Sequence, residues 1–218
     1  MTHNRIMLVV LLGVVAAGWH YSHSRPKPVP SPTPTPIVSA ALPSASPEAP
    51  VSPTPSPATV PPIADFMQRV TKKFFGTYVT PTSSPVSPEK FTGYHTGVDV
   101  EYTDTSTDVP VYAIAAGTVR TSSFASGYGG VMVIEHTING RGLFAVYGHL
   151  RQSSMLAAGT AVKQGDTIAV LGTGYSAETD GERRHLHFGI ATSTTILGYA
   201  TSTAALNAGW IDPLSLYP

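Results

Sequence analysis

Apolar and polar positions change their rhythm along the chain, and each rhythm predicts a different kind of element. Behind Arg5 lies an uninterrupted apolar run, Ile6 to Trp19 (IMLVVLLGVVAAGW), closed by the polar stretch His20 to Ser24. This predicts an apolar N-terminal helix with the layout of an export signal. From Pro26 to Pro62 proline alternates with Ser, Thr and Val, as in PKPVPSPTPTPIVSA and PSASPEAPVSPTPSPATVPP. Proline fixes φ and removes backbone donors, so the pattern predicts a disordered linker, extended as polyproline II, that neither helix nor ladder can use. Ile63, Phe66, Met67, Val70 and Phe74 then recur at helical spacing after Pro61-Pro62, predicting a short amphipathic helix. Beyond Thr77 the runs shorten and alternate. Strands are expected at Val98 to Tyr102, Val111 to Thr121, Gly130 to His136, Leu143 to His149, Thr167 to Leu171 and His185 to Ala191. Asn139-Gly140 between two of them is a hairpin signal. The expected fold class is all-β and antiparallel, without internal repeats.

Three regions follow: 1–25 a signal peptide or N-terminal membrane anchor, 26–62 the Pro/Ser/Thr-rich linker, and 63–218 a single folded domain. An apolar run from 6 to 19 is short for a bilayer span, which needs ~20 residues, although a tilted helix could borrow His20 and Tyr21. A cleaved leader and a retained anchor through residues 6–21 both stay open. Either puts the domain outside the cytoplasm, secreted or facing the wall from a membrane. At ~3.1 Å per residue, residues 26–62 could hold it on the order of 115 Å from its anchor.

Composition sharpens this division, since fourteen of the twenty prolines fall between Pro26 and Pro62. The chain has no cysteine, which removes a disulfide framework, a thiolate metal site and a cysteine nucleophile. Any metal must be held by His and carboxylates. Formal net charge is zero and the pI is about 7.1, so there is no basic field to attract nucleic acid.

Of eight histidines, His3, His20 and His23 lie in or beside the leader, leaving His95, His136, His149, His185 and His187 in the domain. In GYHTGVDVEY, His95 and Asp99 stand four apart at a strand entry, with Gly97 permitting a bend between them. A pair at that spacing is common, and a strand-edge Asp is ordinarily just solvated. In RRHLHFGIA, His185 and His187 leave the same face of a strand, while Leu186 and Phe188 turn toward the core. Alone, these read more readily as a pair of surface histidines than as ligands to a shared cation. His149 ends the apolar strand LFAVYGHL, and His136 ends GVMVIEH, where a structural role is expected.

Taken in order, H-x-x-x-D, the strand-ending YGHL and then HLHF resemble the LytM or lysostaphin type of zinc endopeptidase, family M23. The resemblance extends to PVYAIAAGTV, SGYGGVMVIEH, AGTAVKQGDTIAVLGTG and the closing IDPL, so it covers roughly Gly93 to Pro213. It implies a barrel-sandwich-like domain that binds Zn²⁺ through His95, Asp99 and His187, with His149 and His185 beside an open fourth position. Two imidazoles, one carboxylate and a water suit a catalytic zinc site on chemical grounds as well. The implied reaction is hydrolysis of peptide bonds in peptidoglycan, with His149 and His185 moving protons where an HExxH glutamate is missing. Two departures stand out. The loop Gly174 to Arg184 is long and ends in two arginines, either a solvated loop or a rim on which Arg183 or Arg184 meets a substrate carboxylate; and Gly189 stands where relatives often carry an acid.

Two other classes compete. One is a non-catalytic wall-binding or hydrolase-activating domain on the same fold. The other is a biotinyl or lipoyl carrier, suggested by GTAVKQGDTIAVLG but lacking a lysine in the expected turn. The specific bond cut and the oligomeric state are not written in the sequence.

Overall fold

A computed structural model describes residues 58–194 and 197–217. The apolar leader and nearly all of the proline-rich linker lie outside the described residues. Among the described residues no helix is long and apolar enough to cross a membrane.

The chain enters along the fold. The Val60 amide donates to the Ile114 carbonyl (2.9 Å), and the Tyr112 amide donates to that of Pro62 (2.8 Å). The helix expected from Ile63 to Phe74 is cut to one turn, α1 (Phe66–Arg69). Ile63, Phe66 and Val70 are buried as the periodicity predicts, but Met67 and Phe74 are exposed. The helix stops because Val70 bridges Val100 in the sheet and the Lys73 carbonyl accepts the Asp99 amide (3.0 Å). Tertiary pairing overrides helical spacing here.

Next come β1 (Tyr78–Val79), β2 (Gly93–Tyr94), β3 (Gly97–Glu101), β4 (Pro110–Tyr112), β5 (Gly117–Ala125), β6 (Gly129–Ile138), β7 (Arg141–Leu150), β8 (Ala161–Val162), β9 (Thr167–Val170) and β10 (His185–Ala191). A short helix α2 (Thr203–Gly209) and β11 (Trp210–Ile211) close the domain. A seven-stranded antiparallel sheet runs β11-β10-β7-β6-β5-β8, with β3 also paired to β10, while β1-β2 and β4-β9 form two-stranded ribbons. The fold is therefore mostly antiparallel β, as the sequence predicts. The strand expected from Val111 to Thr121 is two strands, because the Ala113 amide leaves to the Asp166 carbonyl and the Ile114 amide to the Tyr147 hydroxyl. The β6-β7 hairpin turns through Asn139 and Gly140, whose φ of 51° and 75° are both left-handed, as a two-residue type I′ turn demands.

Both faces of the large sheet are covered. Met132, Ile134, Ala145, Tyr147, Leu186 and Phe188 face a core shared with α1, β4 and β9. Val131, Val133 and Val146 face a smaller cluster built with Leu206 and Trp210.

Candidate metal centre

Strand alternation places the site. On β10, Leu186 and Phe188 enter the main core, so His185 and His187 must emerge on the opposite face. β3 pairs with β10 so that His187 faces Asp99 and His185 faces Glu101. Gly97 matters here through close approach: a Cβ there would lie 2.4 Å from the Phe188 carbonyl oxygen. The chain just before β3 then brings in His95.

His149 arrives by a different device. Simple alternation would send it with Ala145 and Tyr147 into the main core. However, β6 pairs Gly130 with Leu150 and Val131 with Gly148, so His149 is the extra residue of a bulge. Its φ of 63° is left-handed, which turns its ring onto the His185 face and returns Leu150 to the core. The displaced backbone stays satisfied: the His149 amide donates to the Tyr128 carbonyl and its carbonyl accepts the Gly172 amide, both at 2.8 Å.

Three donor atoms converge. His95 Nε2 lies 3.0 Å from His187 Nδ1 and 3.1 Å from Asp99 Oδ1, and His187 Nδ1 lies 3.2 Å from that same oxygen. Metal–ligand bonds of about 2.1 Å in a tetrahedron set ligand atoms about 3.4 Å apart, so this triangle fits one face of a zinc tetrahedron. The chemistry of the donors fits too. His95 Nδ1 sits 3.1 Å from the Phe74 carbonyl, which can only accept, so Nε2 presents a bare lone pair to the other two donors. A cation relieves the crowding of those lone pairs. Asp99 Oδ2 points away from the triangle, toward Arg183 Nη2 at 2.8 Å, His185 Nε2 at 3.4 Å and Lys73 Nζ at 3.7 Å.

Beside the triangle, the rings of His149 and His185 are 4.2 Å apart. His149 Nδ1 is 3.2 Å from the Thr179 carbonyl and His185 Nδ1 is 2.9 Å from that of Arg183. Both Nδ1 atoms are thereby donors, leaving each Nε2 as an acceptor. Burial is the main cause that pushes the His149 pKa down to about 3, and it holds His185 well below the imidazole range. Burial alone would raise the Asp99 carboxyl, but His185, His95 and His187 outweigh it and hold the group well below the carboxylate range. The site thus sets an anionic carboxylate beside His149 and His185, which burial keeps neutral.

These residues line a cleft with about 510 Å³ of empty space, also walled by Lys73, Glu89, Phe91, Tyr128, Glu182 and Tyr199. Lys73 Nζ is 2.8 Å from both Glu89 Oε2 and the Tyr199 hydroxyl. Tyr128 stands edge-on to His187, and Tyr199 edge-on to His95.

The structure corrects the expectation for the two arginines, neither of which reaches the cleft rim. Arg183 is buried, pairing with Asp99 and forking onto both oxygens of Glu101 at 3.0 Å. Arg184 is buried on the carbonyls of Gly172, Thr105 and Thr107. Nor are His185 and His187 surface histidines, since the whole of β10 is buried. His136 lies away from the cleft between the Ala116 carbonyl (3.2 Å) and the Tyr147 hydroxyl (3.3 Å). Sequence reasoning missed Lys73, Glu89 and Tyr199, which carry no local signal. It also missed Arg183 as the counter-charge, although two carboxylates on one face of an apolar strand, Asp99 and Glu101, call for a cation.

Comparison with solved structures places the chain beside LytU (27% identity over 56% of this chain and 72% of that one, TM-score 0.41). Others are a putative glycyl-glycine endopeptidase LytM from Ruminococcus gnavus (24%, 53% and 48%, TM-score 0.37) and a zinc containing peptidase from Vibrio cholerae (26%, 54% and 33%, TM-score 0.36). None of the curated proteins compared with the chain matches it. Residues 93–198, which contain the donor triangle and both companion histidines, match the profile of Peptidase family M23.

Proposed function

We propose that the protein is a zinc-dependent endopeptidase that hydrolyses peptide bonds of bacterial peptidoglycan, in the stem peptide or the cross-bridge, and works in the cell envelope outside the cytoplasm. One observation carries the reading: a donor triangle, His95 Nε2, Asp99 Oδ1 and His187 Nδ1, shares its cleft with two further imidazoles whose Nδ1 atoms donate to backbone carbonyls, leaving each Nε2 free of a proton. The match of residues 93–198 to a peptidase family supports the reaction class. The apolar leader and proline spacer expected from the sequence support the location.

Zinc held by these three atoms would polarise a scissile carbonyl and lower the pKa of a water in the fourth position toward ~7. The chain's own residues do the rest. His149 and His185 are held neutral, so one of them accepts the attacking water's proton at Nε2. As an imidazolium it donates to the developing oxyanion and then passes the proton to the leaving nitrogen. Burial makes that imidazolium a strong acid, which favours the second transfer. Arg183 fixes the Asp99 carboxylate from behind, leaving Oδ1 for the metal. A non-catalytic wall-binding or activating domain would not need both bare imidazoles beside the triangle.

The test is zymography of the purified protein on peptidoglycan, with and without a chelator, alongside elemental analysis. Chelator-sensitive clearing with about one zinc per chain is expected. Bound zinc without clearing would remove peptidoglycan as the substrate, and absence of both would overturn the metallopeptidase reading.

A further inference from the structure

The charges lining the cleft pair off, with one exception. Lys73 is matched by Glu89 at 2.8 Å, and Asp99 by Arg183 at 2.8 Å behind the cleft wall. Asp180, beside the cleft, is matched by Lys90 at 3.4 Å. Glu182 lines the same cleft and is only 8% exposed, yet its carboxylate has no hydrogen-bond or ion-pair partner among the described residues. The backbone around it is well held, since its carbonyl accepts from the Tyr175 amide (2.6 Å) and the Thr179 hydroxyl (2.8 Å). The side chain is therefore presented by a fixed loop end, three residues ahead of His185.

The side chain is largely buried while its unpartnered oxygens stay open to the cleft, so the carboxylate is only partly hydrated and a cation arriving there would match it. Burial pushes the Glu182 pKa up against the longer-range attraction of Lys73, Arg183 and Lys90, none of which forms an ion pair with it. Neutral amide donors of a peptide backbone would satisfy the oxygens but not the charge, whereas a protonated primary amine does both, donating up to three hydrogen bonds.

We propose that Glu182 is a substrate-binding residue that accepts a primary ammonium group of the peptide substrate, a chain-terminal α-amine or the side-chain amine of a diamino residue. This rests on the peptidase reading of the cleft and adds a selectivity to it: a peptide carrying a free amine is preferred over the same peptide with that amine acylated.

The experiment uses the zinc-loaded full-length protein and two peptidoglycan stem peptides that differ only in acetylation of the one diamino side chain. Binding is measured by calorimetry and cleavage by mass spectrometry, for the wild type and for Glu182→Gln. The wild type should favour the free amine by roughly tenfold to a hundredfold, the range of a charge-assisted hydrogen bond. Glu182→Gln, nearly isosteric, should lose that preference through KM while keeping kcat, zinc content and thermal midpoint. Glu182→Asp, which restores the charge, should recover part of the preference. Equal binding of both peptides by the wild type, or a preference that survives Glu182→Gln, overturns the proposal. So does an equal fall in kcat on both peptides with KM unchanged, which would put Glu182 in proton transfer. A preference in binding without cleavage would uphold the ammonium site while the peptidase reading fails.

Discussion

The two oxygens of Asp99 do different work, and the side chains behind the site depend on that division. Oδ1 belongs to the donor triangle, while Oδ2 is committed to Arg183, which also neutralises Glu101. Arg183→Ala leaves two buried carboxylates without their nearest partner, with only Lys73 at 3.7 Å from Asp99 and Lys72 at 3.6 Å from Glu101, and a broken buried pair costs about 3–5 kcal/mol, read as a shift in the urea unfolding midpoint. Loss of such an outer partner should also weaken zinc binding by roughly tenfold to a hundredfold, read by competition with a chelator. Unchanged stability and zinc affinity would show that Arg183 does not support Asp99. His149 makes the opposite case, because its left-handed backbone carries strain of order 1–3 kcal/mol that its function retains. His149→Gly accepts that backbone while removing the imidazole, so it should abolish peptide cleavage yet keep zinc and lose no stability. His187→Ala should lose zinc and activity together. Equal zinc loss in both variants would refute the division between ligand and proton carrier.

At the scale of elements, the pairing of β3 with β10 holds His187 opposite Asp99, so the register is itself part of the site. Gly97→Ala forces a Cβ to within 2.4 Å of the Phe188 carbonyl, and the strands must part to admit it. Overpacking of this kind costs about 1–3 kcal/mol, and zinc should be lost with the register. Gly140→Ala is the contrasting variant: φ there is 75° in an open turn, so it should cost about 1 kcal/mol and leave zinc untouched. Zinc content and thermal melting of the two variants check the contrast. The same elements explain what was legible in the sequence. The side of β10 that carries His185 and His187 follows from a period of two, and the β6-β7 turn follows from Asn139-Gly140. The bulge that reverses His149 breaks the period and is visible only in the pairing with β6. The Lys73–Glu89 pair brings together segments sixteen residues apart, and no local pattern announces it. Likewise, the helical spacing of Ile63 to Phe74 could not foretell that Val70 would be claimed by the sheet.

At the scale of the whole molecule, four imidazoles among the described residues are buried with lowered pKa values: His136, His149, His185 and His187. Burial is the largest cause in each, and it brings His149 to about 3 and His187 to about 4. An unfolded histidine titrates near ~6.5, so below that pH the unfolded chain binds protons that the fold refuses. The stability these groups permit is therefore complete above ~6.5 and is lost progressively as the pH falls toward their folded values, by up to about 1.4 kcal/mol per unit of depression. Asp99, whose pKa is also depressed, adds to the loss at the acid end of this window. Metal-free protein should accordingly keep a constant thermal midpoint from pH 9 to 7 and lose it steeply from 6.5 to 4. A flat profile across the acid range would mean that these imidazoles are not held neutral. Zinc competes with protons for His187, so loaded protein should start from higher stability and fall more steeply as the metal leaves. Because His149 and His185 stay neutral well below the pH at which the fold weakens, neither titrates first. The acid limit of peptide cleavage should therefore share its midpoint with loss of zinc and of near-ultraviolet circular dichroism, and a folded, zinc-loaded but inactive form at pH 5.5 would contradict that ordering.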